Sequence, residues 1–182
     1  KRPMIVAPKS KLLKQRQGDA PTIVQILPAM IRGGVERGTV EMADAIQKHG
    51  GRAIVISRGG PMVRHLDRLG AKHYQLDVHT KNPFRWPQVR RRLKAILSRE
   101  NADLVHVRSR VPAWIALPAA AALGIATVST VHGRFIALSA LKRMYNRKLL
   151  KTDHVIAISN YVKDLITSQY VDVKERLTVV HR

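Results

Sequence analysis

Four short stretches carry groups suited to polar chemistry. They are "IRGGVERG" around Gly33 and Gly34, "RSR" at Arg108, Ser109 and Arg110, "HGR" beginning at His132 and Gly133, and "SN" at Ser159 and Asn160. A glycine pair ahead of a helix leaves backbone N–H groups open to an anion, and the positive end of the helix dipole adds to the attraction. The competing reading of Gly33 and Gly34 is a tight turn. An arginine presents a fork of donors that matches phosphate. An imidazole donates, accepts or carries a proton near neutrality. His132 also reads as a satisfied buried ring, and Arg110 as a solvated charge beside a turn. His106 falls within an apolar run and reads as structural. The glycine spacing fits neither G-x-G-x-x-G nor G-x-x-x-x-G-K-[ST], which weighs against dinucleotide oxidoreductases and P-loop NTPases.

Each stretch follows a short apolar run of the kind that forms a buried strand. Strands are predicted at Thr22–Leu27, Arg52–Ser57, Lys72–Asp77, Asp103–Val107, Ala126–His132 and His154–Ser159, with a last one in "LTVVH". Between them the pattern predicts helices over Val35–His49, within "GGPMVRHLDRLG" with Pro61 in the first turn, and over Pro87–Glu100, Ala113–Leu123, Leu138–Leu150 and Tyr161–Thr167. Strands alternating with helices, several of them near-continuously apolar, specify an α/β fold: a Rossmann-like doubly wound parallel sheet with helices on both faces. Residues 1–20 read as a basic N-terminal arm and residues 21–182 as one domain. Ligands of such sheets bind beyond the carboxyl ends of the strands, where the four polar stretches lie.

Charge narrows the partners. Lysine and arginine number 33 against 12 acidic residues in 182, a net charge of +21, which calls for an anionic partner or surface. The absence of cysteine excludes disulfides and thiolate metal sites and suits a reducing cytoplasm. No apolar run is long enough to span a bilayer, and Pro112 and Pro118 interrupt the richest. His49, His65, His73 and His79 form no i, i+4 pair on one helix, which weighs against a zinc site, and there is no D-x-D triplet. Two basic amphipathic stretches, "FRWPQVRRRLKAILSRE" and "LKRMYNRKLLK", suit an anionic membrane surface or, alternatively, a solvated helix face. Nucleic-acid binding is a rival reading, weakened because aromatic residues are only 4% and are not interleaved with the basic runs. A basic nucleotide-binding module without chemistry is a further alternative.

The segments "LPAMIRGGVERGTVEMADAIQKHG", "DLVHVRSRVPAW", "TVSTVHGRF" and "DHVIAISNYVKDLI" occur in an order that resembles the N-terminal half of retaining, GT-B-fold glycosyltransferases of family 4. That group includes lipopolysaccharide-type sugar transferases. The resemblance, over Thr22 to Arg182, implies metal-independent transfer of a sugar from a nucleotide-sugar donor to an acceptor, in a cleft between two Rossmann-like domains. It implies that Gly33 and Gly34 form the donor-diphosphate loop and that His132 is catalytic, beside the transferred sugar. Gly133 would keep the backbone accessible there. Arg108, Ser109, Arg110, Gly133 and Ser159 would contact acceptor or phosphate. No cofactor beyond the nucleotide-sugar co-substrate is implied. The acceptor is expected to be a lipid-linked or cell-envelope glycan, with the enzyme peripheral at the inner face of the cytoplasmic membrane. Most nucleotide-gripping residues would belong to a second domain after "TVVHR", so these 182 residues alone are expected to show little transferase activity.

Overall fold

The computed structural model describes residues 20–133 and 135–181; nearly all of the basic arm expected at 1–20 lies outside the described residues. Seven strands and six helices alternate: β1 (Thr22–Ile26), α1 (Gly34–Lys48), β2 (Arg52–Ser57), α2 (Val63–Arg68), β3 (Lys72–Gln75), α3 (Trp86–Arg99), β4 (Leu104–Val107), α4 (Arg110–Leu123), β5 (Ala126–Val131), α5 (Ala140–Arg147), β6 (His154–Ala157), α6 (Asn160–Gln169) and β7 (Leu177–Val179). Short 3-10 segments cover Pro83–Arg85 and Val171–Arg176. All pairings are parallel, in the order β3-β2-β1-β4-β5-β6-β7. The chain winds outward from β1 to β3, crosses back through α3, and winds outward again from β4. The direction reverses between β1 and β4, which opens a crevice at their carboxyl ends.

The apolar runs explain the layers. On one face the smaller core gathers Leu27, Met30, Ala43, Ile46, Val55 and Leu66 from β1, β2, α1 and α2. The other face holds the larger core, built by α3, α4 and α6 through residues such as Leu93, Leu97, Ile115, Ala116 and Ile166. Helix α4 is apolar almost all round, as a helix wedged between sheet and α3 must be. Trp86 of α3 stacks on Trp114 of α4 with ring centroids 6.0 Å apart. Gly124, at φ 68, ends α4 in the left-handed conformation that glycine accepts without strain.

Several boundaries differ from the sequence expectation, each for a local reason. Helix α4 begins at Arg110, three residues before the expected Ala113, because extended Ser109 sits at its N-cap. Helix α2 begins at Val63, after Pro61, because Gly59 (φ 96) and Gly60 (φ 144) have backbone no helix can use. Residues 58–62, which hold both glycines, pair beyond the strand ends with the segment after β1. Arg58 N donates to Pro28 O (3.1 Å), Met30 N to Gly59 O (2.9 Å) and Met62 N to Met30 O (2.8 Å). The strap so formed carries the chain into Gly33 and Gly34.

At the opposite end of the sheet, buried Glu100 closes α3 and gathers side chains of β2 and β3. Arg52 Nη2 and Lys72 Nζ each donate to its carboxylate at 2.8 Å, and the Tyr74 hydroxyl donates as well. Hydrogen bonding from Lys72, then Tyr74, lowers its pKa from 4.5 to about 2, against the opposing effect of burial. The folded pKa lies below the unfolded one, so this stabilisation is complete above the ordinary carboxylate range and is lost as pH falls toward 2. Glu100→Gln is expected to cost about 2 kcal/mol near neutrality, discounted for its half-exposed partners. In urea titrations it should also flatten the decline of stability between about pH 5 and pH 2.

Candidate functional site

Arg108 leaves β4 at the crevice and points inward. It is only 6% exposed, and its guanidinium is taken up by the fold. Nε donates to Gln25 Oε1 of β1 (2.9 Å), Nη2 to the carbonyl of Gly38 in α1 (3.2 Å), and Nη1 reaches His132 Nε2 after β5 at 3.5 Å. Gln25, fully buried, passes the link on by donating Nε2 to Thr39 O at 3.0 Å. One arginine thereby fastens β1, α1 and the residue following β5. A guanidinium has no acceptor atom, so a hydrogen bond in this contact is donated by Arg108 and accepted by Nε2.

Around His132 lies a cavity of about 390 Å³, lined by Arg108, Ser109, Arg110, Gly133, Phe135 and His79 among others. The first turn of α4 opens into it without an acidic residue, so its N–H groups and dipole favour an anion there. The Arg110 guanidinium lies 5.1 Å from the centre of the Phe135 ring, which holds it over the cavity wall. Phe135 in turn meets Tyr170 edge-on at 5.8 Å.

Gly33 and Gly34 line a separate groove of about 1150 Å³ with Arg32, Arg37, Arg64 and His65. Gly33 is extended (φ 175, ψ 177) and Gly34 is the first residue of α1, so neither occupies a conformation reserved for glycine. A Cβ on Gly34 would meet nothing within 4 Å, and one on Gly33 only the mobile end of Glu36. The turn alone therefore does not account for the pair. Neither glycine places a side chain over the α1 N-terminus, where the Glu36 carboxylate lies beside Gly33. Gly133 is alike: a Cβ there also meets nothing within 4 Å.

A sequence profile of Glycosyltransferase Family 4 matches residues 32–182. The chain belongs to Glycosyltransferase Family 4. The crystal structure of a glycosyltransferase from Rickettsia africae ESF-5 is similar to this family 4 chain at 35% identity and a TM-score of 0.79, over 90% of this chain and 43% of that one. Anabaena HepE in complex with UDP-glucose matches at 14% identity and TM-score 0.72 over 88% and 43%. Sucrose-phosphate synthase from Thermosynechococcus elongatus matches at 13% and 0.67 over 88% and 48%. The last two show the shared fold. The family 4 chain spans less than half the length of these solved chains, and its sheet is the Rossmann-like half of a GT-B architecture. No curated protein matches it.

The residues that sequence singled out in this family 4 domain divide into three groups. His132, Arg108, Ser109, Arg110 and Gly133 share the cavity, while Gly33 and Gly34 line the neighbouring groove. Ser159 stands apart from both: its hydroxyl accepts the Val162 N–H at 3.2 Å and caps α6. Arg108 needs a correction. It was expected on the cleft rim, but it is buried with its fork already occupied, because β1 and α1 supply polar acceptors beneath it. His106 fulfils its structural reading: buried, with Nε2 2.7 Å from Thr130 Oγ1, and held well below the usual histidine pKa by burial and then by Arg108 and His132.

One cavity residue of the family 4 domain was missed. His79 is half-buried, and its Nδ1 is a buried atom without a hydrogen-bond partner. Burial, followed by the charge of Arg58, lowers its pKa. It follows β3 at the edge of the sheet and reaches the cavity only because the crossover into α3 passes over the strand ends. No spacing in the sequence signals that path. Among the described residues no group of three or more His, Cys, Asp or Glu is placed to hold a metal ion, and no helix is long and apolar enough to cross a membrane.

Proposed function

We propose that the chain is the acceptor-side half of a glycosyltransferase that moves a sugar from a nucleotide-sugar donor to a glycan acceptor. The observation that carries this reading is the joint placement of His132, Arg110 and the α4 N-terminus in one cavity at the carboxyl ends of β4 and β5, with the start of α1 lining a further groove. In this reading the N–H groups at Gly33 and Gly34 receive the donor diphosphate. His132, held beside Arg108, hydrogen-bonds a hydroxyl of the transferred sugar. Arg110 and Ser109 receive the acceptor. Helix N-termini and arginines meet the diphosphate charge, which is the ground for writing the transfer without a metal.

The proposal extends to a lipid-linked or cell-envelope acceptor, with the protein peripheral at the cytoplasmic membrane face. Its support comes from α5. Leu138, Leu141 and Met144 are 95%, 72% and 57% exposed, with Lys142 and Arg143 exposed beside them. Tyr145, from the same helix, lines the cavity. An exposed apolar row among cations suits anionic lipid, each nearby cation adding about 1 kcal/mol. Helix α3, expected to share this role, lacks the apolar component: Val89, Leu93 and Leu97 are buried in the core.

The test uses the full-length protein with a panel of nucleotide sugars and anionic vesicles. Turnover is expected, with kcat for His132→Ala about a hundredfold lower at unchanged melting temperature, in the usual range for a positioned catalytic side chain. Leu141→Glu with Met144→Glu should weaken vesicle binding by about tenfold or more. Absence of turnover with every nucleotide sugar, or full activity in His132→Ala, would sink the catalytic reading. Unchanged vesicle binding would sink the membrane reading.

A further inference from the structure

Away from the His132 cavity, a second pocket of about 280 Å³ lies at the β2–β3 side of the sheet, lined by Arg58, Arg85, Arg92, Gln75, Asp77 and Gln88. Its three arginines come from separate places: the residue after β2, the 3-10 turn, and the second turn of α3. Their backbones are anchored. Arg58 N donates to Pro28 O at 3.1 Å, its carbonyl accepts from Gln75 Nε2 at 3.1 Å, and Arg85 N donates to Asn82 O at 3.1 Å. Among the described residues the ion pairs engage Asp44, Glu100 and Asp172, and none includes these arginines. Asp77 Oδ1 accepts the His79 N–H at 3.3 Å and forms no ion pair with them. Three exposed arginines thus line one pocket with a single carboxylate.

Like charges gathered without counter-charge are unfavourable, and folding gains nothing from the arrangement that a neutral rim would not supply. A tetrahedral dianion reverses the balance, because its oxygens can take two-pronged donors from several directions at once. We propose that this pocket binds a phosphoryl group carried by the sugar acceptor. Its position ties it to the transfer site: Asp77 lines this pocket, His79 two residues later lines the His132 cavity, and the Arg58 charge acts on His79. The acceptor assignment rests on the glycosyltransferase reading; the phosphoryl site itself does not. An acceptor seated beside His132 would reach over residues 77–79 and be held by its phosphate, away from the reacting hydroxyl. Anchoring of that kind is sequence-independent of the donor and selects acceptors by charge.

The experiment follows the arginine side-chain Nε–H signals of the 15N-labelled chain at fixed ionic strength. The probes are glucose 6-phosphate, inorganic phosphate and glucose, with vesicles of phosphatidylglycerol and phosphatidylcholine as a separate arm. Glucose 6-phosphate should shift Arg58, Arg85 and Arg92 together along one saturable curve and bind more tightly than inorganic phosphate, while glucose leaves them unmoved. Arg58→Gln and Arg92→Gln should each weaken it by about tenfold, and exposed Arg68→Gln should not. Equal, non-saturating shifts at Arg68 and Arg99 would show diffuse screening and overturn the site. Equal affinity for inorganic phosphate, or a loss of vesicle binding in Arg58→Gln and Arg92→Gln, would overturn its assignment to the acceptor. None of these readouts requires sugar transfer, so failure here and failure of the transferase reading are told apart.

Discussion

Arg108→Leu is expected to lower folding stability by about 3 kcal/mol, because it removes the contacts to Gln25, Gly38 and His132 and strands the buried Gln25 Oε1, while the Gly38 carbonyl keeps its bond within α1. A urea titration measures the loss as a drop in midpoint at unchanged slope. Arg108→Lys should recover less than half of it. An ammonium is a compact charge that cannot fork toward Gln25, Gly38 and His132 together. The second readout is the imidazole itself. With Nη1 gone from its position 3.5 Å from Nε2, the 15N shifts of His132 should change. A leucine variant within about 0.5 kcal/mol of the parent would show that Arg108 is not the fastening that its geometry describes.

The second large effect is expected at Gly60. Its φ of 144 is rarely open to other residues, and a Cβ there would lie 2.6 Å from the Met30 carbonyl carbon. That neighbour is backbone and cannot swing aside. Gly60→Ala should therefore cost about 3 kcal/mol, combining backbone strain with displacement of the strap. Moving Met30 moves the lead-in to Gly33 and Gly34, so donor-side binding in the full-length protein should weaken as well. Gly34→Ala supplies the contrast. Its Cβ has open space, so folding should be nearly unaffected while any diphosphate contact at that backbone is obstructed.

The strands were readable because a parallel sheet covered on both faces leaves continuous apolar runs, as in "RAIVIS", where the expected and observed limits coincide. Helix starts were less readable. Extended Ser109 allows α4 to begin at Arg110, and the positive φ values of Gly59 and Gly60 delay α2; both are conformational facts that residue type suggests but does not specify. The rule that ligands gather beyond strand ends found the cavity residues after β4 and β5, yet it also selected Ser159, whose hydroxyl caps α6. His79 escaped because its position depends on the path of a crossover. Helices α3 and α5 show the limit of amphipathic patterns. Both carry apolar residues among cations, but α3 has α4 to pack against, as Trp86 and Trp114 show, whereas Leu141 and Met144 have no such neighbour. A pattern on one helix does not contain the helix beside it.

The pairing of β1 with β4 has a consequence for the order in which the molecule is made. The N–H of Thr22 is held by Asp103, 81 residues later, and Gln25 meets Arg108 across 83. Strand β1 can find β2 early, through one helix and a short turn. Its other flank stays unzipped until β4, for which the Thr22 to Asp103 separation is 81 residues, has been synthesised, and such distant pairings form slowly. The half-sheet β1–β3 with its small core is thus the stage most exposed to wrong partners during synthesis. The crevice where β1 and β4 part cannot take shape until that distant pairing has formed.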